Sequence, residues 1–132
     1  MGIEISSKNT IKPRNVLIVE DDDMLRRLLC MEFKRKGHNV LEYRDEAYAS
    51  SGIERDKPPI DAAIVDLMNV GYGGNMGDVL DRYPEYRNVM IIYYSSLTDQ
   101  QFNKKILNRP NTYYIHKVPG SIKQVVSKVT DE

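Results

Sequence analysis

The sequence predicts an α/β fold, a doubly wound five-stranded parallel sheet with five helices on its two faces. Three observations predict it. Val16-Leu17-Ile18-Val19, Ala62-Ala63-Ile64-Val65, Val89 to Tyr94 and Tyr113-Tyr114-Ile115 are apolar runs without polar alternation, the pattern of strands covered on both faces. Segments with apolar residues at helical spacing lie between these runs, and a strand–helix alternation closes into one sheet through right-handed crossovers. The length, 132 residues, is enough for one core.

Residues 1–13 are polar and unpatterned and are closed by Pro13; they read as an N-terminal arm on a domain spanning 14–132. Met1 to Ser6 fits a loose myristoylation pattern that arises easily by chance, so an untethered arm is expected. The first strand ends in Glu20-Asp21-Asp22-Asp23. Leu25, Leu28, Leu29 and Phe33 share a helix face that starts after these acids, with Asp23 as its cap, and stops at Gly37. Asn39 to Tyr43 is a more mixed strand, expected nearer an edge. Helices are expected around Ala47 to Glu54 and Asp78 to Tyr83, bounded by Gly52 and Pro84. Phe102, Ile106 and Leu107 mark a weaker helix after Thr98 or Asp99. Ile122, Val125, Val126 and Val129 mark the last helix, with Ser121 as its N-cap.

Composition excludes several function classes. Lys plus Arg is 19 and Asp plus Glu is 19, so there is no basic excess for direct nucleic-acid binding. The longest apolar run is too short to cross a bilayer and no charged-then-apolar leader precedes it, so a cytoplasmic protein without membrane contact is expected. Cys30 is the only cysteine, and His38 and His116 are far apart, so neither a disulfide framework nor a Cys/His metal site is expected. The chemistry must come from carboxylates, hydroxyls and lysines.

In such a sheet, ligands sit at the carboxyl ends of the strands, near the point where strand order reverses. Those ends carry Glu20, Asp21, Asp66, Ser95 and Lys117. Carboxylates brought close together repel until one is protonated or a cation neutralises them, and an all-oxygen set favours a hard ion, Mg²⁺ first. Lys117 suits the terminal oxygens of an anion, and Ser95 can donate a hydrogen bond to the same anion. Asp66, alone at the end of its run, is the candidate nucleophile, while Glu20 and Asp21 are suited to holding the ion. Asp22 and Asp23 read as helix-capping, solvated acids.

On these residues the chain resembles the receiver domains of two-component response regulators and is similar to the stand-alone chemotaxis type, over roughly Arg14 to Val129. The resemblance implies a flavodoxin-like sheet in the order 2-1-3-4-5. It also implies phosphoryl transfer to Asp66 from the phosphohistidine of a histidine kinase or histidine phosphotransfer protein, and self-catalysed dephosphorylation by water. Asp21, Asp66 and the backbone carbonyl of Met68 would hold Mg²⁺, with Glu20 acting through water. Lys117 and Ser95 would meet the phosphoryl oxygens, and Tyr114 would change rotamer as the hydroxyl of Ser95 moves. The signal would leave through the face of the fourth helix, fifth strand and fifth helix, about Thr98 to Val129, toward an unidentified partner or a second copy in a homodimer.

Two departures stand beside this pattern. Asn69-Val70 replaces the usual Met-Pro and leads into a glycine-rich stretch, Gly71 to Gly77, which lacks the spacing of a dinucleotide fingerprint. Val118 separates Lys117 from Pro119, where the family has proline directly after the lysine. Both features feed an alternative, a pseudo-receiver that binds without being phosphorylated. A third reading, a haloacid-dehalogenase-like phosphatase, takes Asp21-Asp22-Asp23 as its Asp-x-Asp motif but finds only Asp131 and Glu132 as acids after the lysine.

Overall fold

A computed structural model describes residues 12–67, 76–98 and 100–131. Most of the expected arm, the carbonyl of Met68 and the glycine-rich loop up to Asn75 lie outside the described residues. Five strands, β1 (Asn15–Val19), β2 (Asn39–Tyr43), β3 (Ala62–Val65), β4 (Met90–Ser95) and β5 (Thr112–His116), form one parallel sheet in the order β2-β1-β3-β4-β5. The described helices are α1 (Asp23–Arg35), α2 (Glu46–Asp56), α3 (Met76–Asp81) and α4 (Ser121–Thr130). None of them is long and apolar enough to cross a membrane.

The alternation of side chains along each strand splits the core in two. Leu17, Val19, Ala63, Val65, Ile91 and Tyr93 pack with α2 and α3 through Ala49, Ile53, Val79 and Leu80. Val16, Ile18, Ala62, Ile64, Ile92 and Tyr94 pack with α1 and α4 through Leu29, Phe33, Val125 and Val129. Every residue of β3 and β4 is buried, whereas the edge strands β2 and β5 are mixed, as the sequence predicts for β2.

Several helix ends differ from those expected of the sequence. Asp22, not Asp23, caps α1: its Oδ1 accepts the amide hydrogens of Met24 (3.0 Å) and Leu25 (3.1 Å), and Asp23 is the first helical residue. Gly37 ends α1 with φ +93°, where an L side chain would be strained. Gly52 does not bound α2 but lies inside it, where the Tyr43 ring presses so close that a Cβ would collide with its hydroxyl. Gly120 precedes α4 at the cap position, and Ser121 is already helical.

The fourth of the five expected helices, marked by Phe102, Ile106 and Leu107, is not found as an α-helix among the described residues. Its place is taken by a 3-10 turn over Lys104–Asn108. Asn103 accepts the Lys105 amide hydrogen (3.0 Å) and restarts the chain there, while Arg109, which precedes Pro110, is extended (ψ 132°). Too few residues remain between these two stops for an α-helix. A second 3-10 turn, Pro84–Tyr86, follows α3. Arg109 covers this region: its Nη1 donates to the Val89 carbonyl (2.7 Å) and its Nη2 to the carbonyls of Tyr86 (3.1 Å) and Arg87 (3.2 Å).

Cys30 is buried on α1 and its thiol donates to Glu42 Oε2 (3.4 Å). Burial and the Glu42 carboxylate push this thiol up to about 11.

Candidate functional site

Strand order reverses between β1, which has β2 on one side, and β3 on the other, and the crevice lies where their carboxyl ends meet. Glu20 follows β1 directly and Asp66 follows β3. The two stay in register because Asp66 donates its amide hydrogen to the Val19 carbonyl (3.0 Å) and Glu20 donates its own to the Tyr43 carbonyl (3.1 Å). Arg26 on α1 donates from Nη1 to the Glu20 carbonyl (2.8 Å) and from Nε to Glu42 (3.0 Å), which fixes the first strand end against the helix.

The carboxylates of Glu20, Asp21 and Asp66 each place an oxygen within 4.8 Å of the other two. Glu20 is buried, Asp21 exposed and Asp66 between them. Lys117, one residue past β5, reaches across to meet Glu20 Oε1 at 2.8 Å and Asp66 Oδ1 at 3.2 Å. Its backbone is set by an amide hydrogen bond to the Ser95 carbonyl (2.8 Å), and no described peptide bond is cis. Burial, only partly offset by Lys117, pushes the Glu20 carboxyl up to about 7. Burial pulls the Lys117 ammonium down, but Glu20 and Asp66 outweigh it and the net direction is up.

These groups fit a divalent cation. When ionised, three carboxylates against one ammonium leave two negative charges, the donors are all oxygen, and the burial that penalises an ionised Glu20 is relieved by a cation beside it. Asp21, Asp66 and Glu20 are the residues that would hold Mg²⁺.

Ser95 closes β4 and is fully buried. Its hydroxyl donates to the carbonyl of Leu67, the residue after Asp66 (3.0 Å), and accepts the amide hydrogen of Leu97 (3.2 Å). Tyr114 lies on β5, with its hydroxyl bonded to the carbonyls of Ser95 (3.1 Å) and Leu97 and its ring stacked on Phe102 (centroids 4.7 Å apart, 11° between planes). Beside it Leu97, Thr98, Gln100, Tyr114 and His116 line a shallow depression of about 640 Å³. The structure thus gathers Glu20, Asp21, Asp66 and Lys117, with Ser95 behind the chain that leaves Asp66. Met68 lies outside the described residues.

Sequence reasoning missed Arg26, Phe102 and Tyr94, whose ring centroid lies 5.8 Å from Lys117 Nζ. Each acts across elements, and no spacing in the sequence announces it.

No protein-family profile matches the chain, and no curated protein matches it. Solved structures do. The chemotaxis protein CheY4 of Vibrio cholerae is 20% identical with a TM-score of 0.73, over 91% of this chain and 98% of that one. The receiver domain of the Francisella response regulator 1452 is 21% identical with a TM-score of 0.70, over 88% and 93%. A Burkholderia pseudomallei response regulator, solved with a phosphorylated aspartic acid, a calcium ion and citrate, is 15% identical with a TM-score of 0.68, over 88% and 66%. The fold is that of response regulator receiver domains.

Proposed function

We propose that this chain is a receiver that accepts a phosphoryl group on Asp66, with Mg²⁺, from the phosphohistidine of a histidine kinase or histidine phosphotransfer protein. The observation that carries the reading is Lys117 Nζ spanning Glu20 and Asp66 at the carboxyl edge of the sheet, with Asp21 alongside. The Burkholderia neighbour, with its phosphorylated aspartic acid and calcium ion, supports it by likeness of fold.

In the transfer, an Asp66 carboxylate oxygen attacks phosphorus, the P–N bond to the donor imidazole breaks, and the nitrogen keeps the electron pair. Bound Mg²⁺ supplies neutralisation of the phosphoryl oxygens. Lys117 orients the Asp66 carboxylate through Oδ1 and brings an ammonium to where phosphoryl charge gathers. Ser95 donates to a phosphoryl oxygen only after releasing the Leu67 carbonyl. That release, passed to Tyr114 through the Ser95 and Leu97 carbonyls, would shift a pre-existing equilibrium at the β5 side, from about Thr98 to Val129, where an output partner or a second copy binds.

The buried Ser95 hydroxyl, already bonded to Leu67, favours a second reading, a binding module of the same fold that is not phosphorylated. Incubation with Mg²⁺ and a small acyl phosphate, followed by intact mass, separates the two. A gain of one phosphoryl by the wild type, absent in Asp66→Ala, supports the receiver. No gain in the wild type supports the binding module.

A further inference from the structure

After Lys117 the chain turns through Val118, Pro119 and Gly120 into α4. The turn is closed by its own backbone, the Ser121 amide hydrogen bonding to the Val118 carbonyl (3.0 Å) around Pro119 and Gly120 (φ +83°), but Val118 is half exposed, so what ties the turn to the sheet must come from side chains. Ser121, buried at the first helical position, does not cap α4 with its hydroxyl. The Oγ instead turns back on the loop, accepting the Val118 amide hydrogen (3.1 Å) and donating to the Val118 carbonyl (2.6 Å). Its second lone pair meets the Tyr94 hydroxyl at 2.7 Å, in a buried bond. With Ser121 donating to Val118, Tyr94 is the donor in that bond, so all three bonding positions of the Ser121 hydroxyl are filled.

Tyr94 precedes Ser95 on β4, and its ring faces the Lys117 ammonium at 5.8 Å. One side chain therefore touches Lys117 with its ring and, through Ser121, grips the residue that follows Lys117. The lysine carries its charge on a flexible four-carbon stem, so where its Cα sits and which way the stem leaves decide whether Nζ reaches Glu20 and Asp66.

We infer that Ser121 and Tyr94 form a hydroxyl clamp on Val118 that positions Lys117 for phosphoryl transfer to Asp66. The inference rests on the receiver reading above. Both are positioning residues that act through the lysine.

A double-mutant cycle on the rate of Asp66 phosphorylation by a small acyl phosphate tests it. Ser121→Ala slows the wild-type reaction by roughly 10- to 100-fold, the range for a slightly misplaced reacting group. In a Lys117→Ala background, Ser121→Ala brings no further slowing, although it lowers the melting temperature in both backgrounds. Tyr94→Phe keeps the ring and removes one hydroxyl; it slows the reaction less, again only when Lys117 is present, and it carries the test if Ser121→Ala fails to fold. Equal slowing with and without Lys117, or none with it, overturns the clamp. A phosphorylated wild type with unaffected variants overturns the clamp alone, whereas a wild type that takes up no phosphoryl overturns the receiver reading and the clamp together.

Discussion

Glu20 and Asp21 are neighbours with opposite circumstances. Glu20 is held by the Tyr43 carbonyl, the Arg26 guanidinium, the Asp22 amide hydrogen (3.2 Å to Oε2) and Lys117, and is 2% exposed. Asp21 is exposed, with its carboxylate turned to the same cluster. Replacing Asp21 by Asn therefore removes one charge from the ion's surroundings without opening the core. Mg²⁺ affinity is expected to fall roughly tenfold or more, since a unit charge at contact distance is worth ~1–4 kcal/mol between bulk water and a protein surface. Thermal stability without the ion should stay within about 0.5 kcal/mol of wild type. Titration calorimetry on both proteins checks it, and unchanged affinity would remove Asp21 from the set.

Elements differ in how plainly the sequence announces them. The strands are legible because burial on both faces demands unbroken apolar runs, and the site carboxylates and lysine are legible because they end those runs. Contacts that cross elements leave no such mark. Gly52 looks like a helix end until Tyr43 from β2 is seen pressed against it. Phe102, Ile106 and Leu107 have helical spacing, yet Asn103 and Pro110 leave only a 3-10 turn, with Phe102 outside it on Tyr114. Arg109 ties the carbonyls before β4 to the start of β5. Arg109→Ala should cost about 3 kcal/mol, the scale for losing charge-assisted hydrogen bonds and stranding part-buried carbonyls. A urea midpoint unmoved by the substitution would show that water replaces the guanidinium.

At the scale of the whole molecule, His38 joins the two ends of the described fold. Its Nδ1 accepts the Arg14 amide hydrogen (3.0 Å), so Nε2 carries the proton and faces Thr130 Oγ1 (3.0 Å) at the end of α4. Burial, with Arg14 adding to it, holds the imidazole below its ordinary value of 6.5. The unfolded chain then binds the proton more readily, so this contribution is present above pH 6.5 and is lost as pH falls below it. Glu20 works the other way: its raised value makes its contribution present below 4.5 and lost as pH rises through about 7. The His38 part is isolated as the difference between wild type and His38→Phe. That difference in urea midpoint should shrink from about pH 7.5 to about pH 5.5, across the ordinary histidine range. A constant difference would mean that His38 does not titrate with unfolding.

The buried Cys30 thiol has a practical corollary. As the chain's single sulfhydryl, hidden and held protonated far above neutrality, it works as a built-in seal on the native state: a thiol-specific dye should react only as fast as the molecule opens. Labelling time courses, run with and without Mg²⁺ and acyl phosphate, would then report whether either one changes how often the molecule opens, with no tag or engineered probe required.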